Sequence, residues 1–347
     1  MSNILFDLSH PADVHLFRNL AREWVAQGHQ VLFSALDREI IVYLLDHYQL
    51  PYKIVYTRQK GKLALVKELL LRPWPTYQIA RHLRADLFIS MGNPTVGLPA
   101  LLMGRPYLAL TDTDHAVEQH LLFQPFATVI ATPDVFTRNL GKKQIRYNSF
   151  QELAYLHPDV FTPDARELES LGLSPDETYF VVRFVAWGAT HDIGEHGLSG
   201  QEKGQLIREL AQHGRVLLSV EGGDIDPEFA GLVTTFPPEK VHHLLAFATM
   251  YIGEGGTMGT EAALLGTPSL FVSTLRGGNW TDLRDNYGLL YFYDNGRETL
   301  AKVRELLQMP NLKAEWQQRR SRMLAAKSNP IPWFVDLGNQ LLNKSQR

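Results

Sequence analysis

A short apolar run, Met250-Tyr251-Ile252, leads into Gly253-Glu254-Gly255-Gly256 and then into a segment carrying Ala262, Ala263, Leu264 and Leu265. Strand, glycine turn and helix N-terminus together make an anion site. First-turn N–H groups lack intrahelical acceptors, the helix dipole presents its positive end, and residues without Cβ let a diphosphate reach the backbone. Gly255, Gly256 and Thr257 are the residues that would meet it. Glu261, further along the helix, is placed to accept hydrogen bonds from the hydroxyls of a sugar on that diphosphate. Glycines at such turns also serve packing alone. The added Glu261 and the Leu265-Gly266-Thr267-Pro268 exit favour a nucleotide-sugar site over a structural turn.

The pattern occurs twice. Residues 91–106, MGNPTVGLPALLMGRP, align with 253–268, GEGGTMGTEAALLGTP, at an offset of 162. Thr95/Thr257, Gly97/Gly259, Ala100/Ala262, Leu102/Leu264, Gly104/Gly266 and Pro106/Pro268 coincide. A repeat of this length predicts two related α/β domains. The copies differ where chemistry matters: Gly255-Gly256 is Asn93-Pro94 in the first, and Glu261 is Pro99. The second copy is therefore expected to hold a donor and the first an acceptor.

The elements that position these motifs alternate between strand and helix, which predicts parallel sheets. Strands are expected at 4–9, 30–36, 53–56, 87–90, 107–111 and 128–132, with helices at 14–27, 39–48 and, interrupted by Pro73 and Pro75, 62–84. The irregular stretch 146–175 reads as a linker. Beyond it come strands at 178–187 and 216–222, helices at 200–212 and 238–248, the glycine motif, and a polar loop, RGGNWTD, at 276–282. Helices at 313–326 and 333–343 flank a Pro330–Pro332 break. Expected domains are 1–155 and 156–329, both Rossmann-like, with 330–347 crossing back onto the first.

Composition narrows the class. The 347 residues carry a net charge of −3, with 45% hydrophobic and 20% charged residues, as in a soluble globular protein and not a nucleic-acid binder. With no cysteine, disulfides, thiolate metal sites and cysteine nucleophiles are excluded. MSNILFDLSH is too short an apolar run for a secretory signal and is interrupted by Asp7; no stretch reaches the ~20 apolar residues of a membrane span. The expectation is a cytoplasmic protein, at most associated with the inner face of a membrane.

The chain resembles the GT-B superfamily, the two-Rossmann-domain glycosyltransferases and the related UDP-N-acetylglucosamine 2-epimerases. The runs HPADVHLFRNL and VRFVAWGATHDIGEHGL are similar to the DUF354 family of uncharacterised microbial proteins. The glycine motif resembles that of the transferase adding N-acetylglucosamine to the lipid-linked peptidoglycan precursor, where a small-residue turn meets the diphosphate and a helix glutamate seven residues on holds the ribose. Those positions here are Glu254-Gly255-Gly256 and Glu261. Glu254 departs from the usual serine, and a carboxylate beside a diphosphate requires an intervening cation. The paired glutamates of the epimerases correspond to Gly259 and Thr260, so that pattern is broken. What the resemblance implies is an inverting transferase that moves a sugar from a nucleotide diphosphate donor, UDP above all, to a polysaccharide or lipid-linked acceptor. The alternatives are an epimerase or hydrolase of the same donor, or a non-catalytic nucleotide-sugar binder.

In a GT-B protein the chemistry lies in a cleft faced by loops at the carboxyl ends of both sheets. Inversion needs a base for the acceptor hydroxyl and groups that balance the leaving diphosphate. His10 and Asp13 are the candidate bases, because this loop faces the donor in GT-B enzymes; Asp13 reads equally as an N-cap before Val14. Asp112 and Asp114 form an Asp-x-Asp whose structural reading, as turn and cap residues, precedes acceptor binding. Trp187, His191 and Asp192 follow a strand where such proteins place a loop over the diphosphate, with His191 donating to phosphate and Asp192 orienting it. Arg276 and Asn279 either reach the donor or solvate the rim. No cofactor is expected and no metal is required: His242 and His243, adjacent on a helix, diverge.

One segment suggests a partner. Residues 60–84 set six cations (Lys60, Lys62, Lys67, Arg72, Arg81 and Arg84) against one acid, Glu68, beside Leu63, Leu65, Leu69, Leu70, Leu71 and Trp74. This fits either an amphipathic helix packed on the sheet with solvated cations, or one lying on anionic lipid.

Overall fold

A computed structural model describes residues 1–57, 64–185, 197–221 and 225–345. It comprises two compact units, Met1–Tyr155 with Ser328–Arg347, and Leu156–Lys327. Each is built on a parallel sheet.

The first sheet has seven strands: β1 (Asn3–Leu8), β2 (Gln30–Leu36), β3 (Tyr52–Tyr56), β4 (Leu87–Ser90), β5 (Tyr107–Leu110), β6 (Val129–Pro133) and β7 (Gln144–Tyr147), in the order β3-β2-β1-β4-β5-β6-β7. Its helices are α1 (Pro11–Ala26), α2 (Glu39–His47), α3 (Ala64–Leu71), α4 (Pro73–Leu83), α5 (Pro94–Leu102) and α6 (Val117–Phe123), with α7 (Leu153–Leu156) at the division between units. The central strands β4 and β5 are buried at every position, as strands covered on both faces must be, whereas the edges β3 and β7 are half exposed. Phe6 of β1 packs on Phe17 and Trp24 of α1 and stacks on Phe33 of β2. The 62–84 stretch breaks at Arg72, where Pro73 opens a new helix because it has no N–H to give the old one.

The second sheet runs β12-β11-β10-β8-β9, from β8 (Tyr179–Val185), β9 (Arg215–Glu221), β10 (Met250–Gly253), β11 (Ser269–Val272) and β12 (Leu290–Tyr293). Its helices are α8 (Arg166–Glu169), α9 (Gly200–Ala211), α10 (Val241–Phe247), α11 (Gly256–Leu264), α12 (Gly278–Asp285), α13 (Gly296–Leu307) and α14 (Leu312–Ala326). The repeat is visible as geometry: α5 and α11 are offset by 162 residues at both ends, and so are β5 and β11.

Two expectations are corrected, and the one for the C-terminal helix agrees with the division of the chain. The 146–175 stretch is not an open linker; it begins inside β7, and Phe150, Leu153 and Tyr155 are buried. RGGNWTD is not a loop but largely the first turns of α12, stabilised by Trp280 against Phe271 and by fully buried Leu283. The last helix, α15 (Ile331–Ser345), belongs to the first unit: Gly338 lies flat on buried Trp24, whose Nε1 donates to Asn339 Oδ1 at 3.0 Å. A Cβ at Gly338 would sit 2.3 Å from the indole, so glycine is required there by close approach.

Candidate active site

The two glycines opening α11 have different tasks. Gly255 is the N-cap, extended and with no side-chain cap, and a Cβ built on it meets nothing nearer than 3.7 Å. Gly256 is small for packing: a Cβ there would lie 2.4 Å from Trp280 Cζ2. The indole is fixed by Nε1 donating to Thr260 Oγ1 at 3.0 Å, and that hydroxyl donates to Gly256 O, also at 3.0 Å. Among the described residues, Gly255 therefore leaves the helix N-terminus open, and Thr257 is exposed beside it. The corresponding end of α5 is closed. Asn93 Oδ1 accepts from Thr95 N at 3.1 Å, and Pro94 has no N–H to offer.

Glu254 has the cation that a carboxylate at this place requires. Its Oε1 lies 3.2 Å from Lys203 Nζ and accepts from Leu198 N at 2.8 Å, while Oε2 accepts from Val185 N at 3.0 Å. The charge is thus neutralised inside the unit, and the same carboxylate ties the residues on either side of 186–196. Trp187, His191 and Asp192 fall in that stretch and lie outside the described residues.

A second cation was missed at the level of sequence. Arg183 of β8 pairs in register with Gly253, and its Nε lies 3.9 Å from a Cβ built on Gly255. Its Nη1 donates to Ser219 Oγ at 3.2 Å and its Nη2 to Glu221 Oε2 at 2.6 Å. A lone arginine in the apolar strand YFVVRFV was the available signal.

Glu261 is buried, with Oε1 3.2 Å from Nε2 of fully buried His242 on α10. The neighbouring histidines diverge: His243 Nδ1 instead accepts from Asp164 N at 2.9 Å. Arg276 is tied to its own surroundings. One guanidinium nitrogen donates to Ser273 O and Leu275 O, another pairs with Asp294, and the plane lies over Phe292. Asn279 is buried in the first turn of α12.

In the first unit, the loop after β1 corrects the expected cap by three residues. α1 begins at Pro11 with His10 as N-cap, its Nδ1 accepting from Ala12 N at 3.2 Å. Asp13 reaches back, Oδ2 accepting from Ser9 N at 2.8 Å and His10 N at 2.9 Å, so the two residues cap one another's backbone. Burial raises the Asp13 carboxyl above the usual range, against the opposing pull of His10.

Asp112 and Asp114 separate into two roles. Asp114 Oδ1 accepts from Thr137 N and Oγ1, both at 2.6 Å, which is the turn role. Asp112 is pushed up to about 6 by burial, with the Thr113 hydroxyl and backbone N–H opposing and the charges of Asp114 and Asp13 adding to the rise. A carboxyl raised in this way, just beyond the carboxyl end of β5, can serve as a general base. Below the same strand ends, Asp7, Arg72 and Asn93 form a buried network. Arg72 Nη2 donates to Asp7 Oδ2 at 2.8 Å, Nη1 donates to Glu68 Oε1 at 2.9 Å, and Asn93 Nδ2 donates to Asp7.

No family model matches the chain, so the DUF354 resemblance stands on its sequence runs alone. An uncharacterised protein of Methanocaldococcus jannaschii is 22% identical over 291 residues, covering 77% of this chain and 81% of that one. Among solved structures, a protein of Listeria monocytogenes assigned as a UDP-N-acetylglucosamine 2-epimerase is similar at TM-score 0.67, with 14% identity over 93% of this chain and 95% of that one. MurG of Acinetobacter baumannii gives 0.59, with 16% identity over 98% and 100%. Glycosyltransferase VinC in complex with dTDP gives 0.61, with 13% identity over 99% and 100%. At these identities the likeness is one of architecture: two parallel-sheet α/β units, matching GT-B glycosyltransferase structures.

Proposed function

We propose that this protein is a GT-B glycosyltransferase that takes a sugar from a nucleoside diphosphate donor, UDP-linked, and passes it with inversion to a polysaccharide or lipid-linked acceptor. The observation that carries the reading is the contrast between the repeats. The N-terminus of α5 is closed by Asn93 and Pro94, while that of α11 is left open by Gly255. In this reading the α11 N-terminus, Gly255, Thr257 and Arg183 hold the diphosphate and Glu261 holds the ribose. Asp112 takes the acceptor proton, with His10 and Asp13 shaping the loop beside it. No resident metal is assigned, since the cations and backbone donors named here balance the diphosphate.

Calorimetry with UDP, GDP, CDP and dTDP tests this. UDP is expected to bind the wild type, and Glu261→Gln should weaken it by about 1–3 kcal/mol, the scale of a charge-assisted hydrogen bond. Gly255→Ala should fold normally and bind less tightly, while Gly256→Ala should lose about 1–3 kcal/mol of stability through overpacking against Trp280. Unchanged affinity for every diphosphate in both Glu261→Gln and Gly255→Ala would refute the site. The 2-epimerase likeness gives a second reading, checked with donor alone: rapid exchange of solvent deuterium into C2 of the sugar favours it over transfer. Tight binding without either reaction, across a broad acceptor screen, favours a binding protein.

The acceptor is proposed to be reached at an anionic membrane surface. Within 60–84, Arg72 and Glu68 neutralise one another in the interior, and Lys60, Lys62 and Leu63 lie outside the described residues. What stays outward supports the reading. Leu70, Leu71 and Trp74 are 73%, 57% and 62% exposed, and α5, packed against both α3 and α4, adds exposed Leu98, Leu101 and Leu102. Lys67 of α3, Arg81 of α4 and Arg84, the C-cap of α4, are exposed as well. No helix among the described residues is long and apolar enough to cross a membrane. Co-sedimentation with anionic but not zwitterionic vesicles is expected, released by salt and abolished by charge reversal at Lys67, Arg81 and Arg84. Equal behaviour with both vesicle types at low salt points to a soluble acceptor.

A further inference from the structure

The outward leucines of the first unit continue past α5 and end beside a groove. α5 and α6 pack on one another, and each leads into the amino end of the next strand, β5 or β6. Their last turns expose Leu101 and Leu102 on α5, and Leu121 and Leu122 on α6. Leu121, Pro125 and Leu140 line a groove of about 410 Å³. Gly141, in the left-handed region at φ 81°, makes the turn between Leu140 and β7. The polar members of the groove are spent on building it. Gln124 Nε2 donates to Leu140 O at 2.8 Å, and Lys143 Nζ donates to Gln124 O at 3.1 Å and to Pro125 O at 2.9 Å. That ammonium sits on carbonyls just past the C-terminus of α6, where a cation is favoured. What remains is an apolar lining with exposed Lys142 beside it, and no acidic residue among the described residues that line it.

Such a groove has both a size and a sign. Its volume falls in the range of small-molecule sites, about 300–1,000 Å³. The apolar lining disfavours a sugar or a nucleotide, whose polar groups would lose their partners there. Lysine beside apolar surface fits a ligand with an apolar body and an anionic end, and the outward leucines of α5 and α6 give it a continuous approach.

We infer that this groove is a lipid site, holding one acyl chain of an anionic membrane lipid with the lipid phosphate against Lys142. The inference rests on the reading of α3 to α5 as membrane-facing and adds a specific ligand to it. The site is separate from the acceptor. Pro125 and Lys143 shortly precede β6 and β7, so the groove lies at the amino edge of the sheet. The loops carrying Ser9, His10 and Asp112 leave β1 and β5 at the opposite, carboxyl edge. A chain held here fixes the first unit on a bilayer without entering the place of the chemistry. One chain alone attaches a protein marginally, and a chain together with a basic patch attaches it stably; Lys67, Arg81 and Arg84 are that patch.

The test uses the whole protein and a soluble probe, dodecyl phosphate below its micellar concentration, followed by calorimetry and by leucine methyl NMR. One molecule should bind, and the Leu121 and Leu140 methyls should shift. Decyl and octyl phosphate should bind more weakly, by up to about fourfold per methylene lost, the transfer value of a buried CH₂. Dodecyltrimethylammonium should bind at least about tenfold more weakly than the phosphate, and Lys142→Glu should remove that preference. Leu121→Asp, at a position 67% exposed, should fold and lose saturable binding. Charge reversal at Lys67, Arg81 and Arg84 should leave dodecyl phosphate binding as in wild type while abolishing co-sedimentation with anionic vesicles, so the two readings fail separately. No saturable binding, methyl shifts confined to other residues, or wild-type binding in folded Leu121→Asp and Lys142→Glu overturns the inference and leaves the membrane-facing surface standing. Binding of the probe without any vesicle association overturns the membrane source of the chain. A wild-type dimer that Leu121→Asp turns into a monomer makes a second copy the occupant and overturns the lipid.

Discussion

Asp112→Asn is expected to lower turnover about 10²–10⁴-fold, the usual contribution of a general base, while nucleotide affinity stays as in wild type. The same variant should be more stable than wild type above about pH 6. Both outcomes follow from one cause. Burial, with the Asp114 and Asp13 charges behind it, holds the Asp112 carboxyl at about 6 in the folded protein against 3.8 for the free group. The folded state therefore keeps a proton that the unfolded chain has lost between those values, so stability falls as pH rises through that window and stays low above it. Asparagine has no charge to bury and escapes the penalty. Turnover moves the other way, rising through about pH 6 as the base form appears. Asp13→Asn makes the control: its Oδ2 holds Ser9 N and His10 N, so its loss should loosen the α1 entry and lower the melting temperature. Full turnover in Asp112→Asn, or a melting temperature that drops with the rate, would show the carboxylate to be an ordinary turn residue like Asp114.

Much of the architecture is legible in the chain because it is written in periodic, local signals. Alternating apolar strands and 3.6-residue helices gave most elements, and the offset of 162 between 91–106 and 253–268 recurs in the bounds of α5 and α11. Several elements escaped, β12 and α13 among them; β7 and α12 are the weakly patterned ones. In β7 only Ile145 and Tyr147 are apolar, and Ile145 is 41% exposed on a sheet edge. α12 opens on Gly278 and Asn279, which read as turn residues until Trp280 and Leu283 find Phe271 and the core. The site divides along the same line. Gly255 and Glu261 stand on one helix and could be seen together. Lys203 beside Glu254, Arg183 beside Gly255 and His242 beside Glu261 are brought in by other elements, 51, 72 and 19 residues away in the chain, and no spacing announces such pairs. The two glycines also look alike in sequence; only the position of Trp280 separates a packing glycine from an open one.

Arg72 shows what such hidden pairing implies for stability. Read in sequence it is one more cation on a basic amphipathic segment; in the fold it is fully buried at the junction of α3 and α4, and its charge is matched by Asp7 and Glu68. Its guanidinium gives four hydrogen bonds, to Ser9 Oγ, Glu68 Oε1, Asp7 Oδ2 and Leu8 O, all between 2.8 and 3.0 Å. Arg72→Met removes the cation and leaves both carboxylates inside, and breaking a buried pair from one side costs about 3–5 kcal/mol. The loss should depend on pH, with a sign fixed by Asp7. Burial already raises the Asp7 carboxyl, and Arg72 is the main influence opposing it. Without the arginine that carboxyl rises further, the folded variant takes up a proton the unfolded chain does not hold, and the deficit shrinks as pH falls. Arg72→Lys should sit between, since an ammonium cannot span four acceptors in a planar fork. Asp7→Asn combined with Arg72→Met should recover part of the loss, because the stranded charge is gone. As the chain is two compact units, a single melting temperature can blur an effect confined to one, so amide exchange along β1, β2 and β4 is the direct measure. Protection in those strands within about 1 kcal/mol of wild type at pH 8 would mean that the network is not what holds the ends of the first sheet.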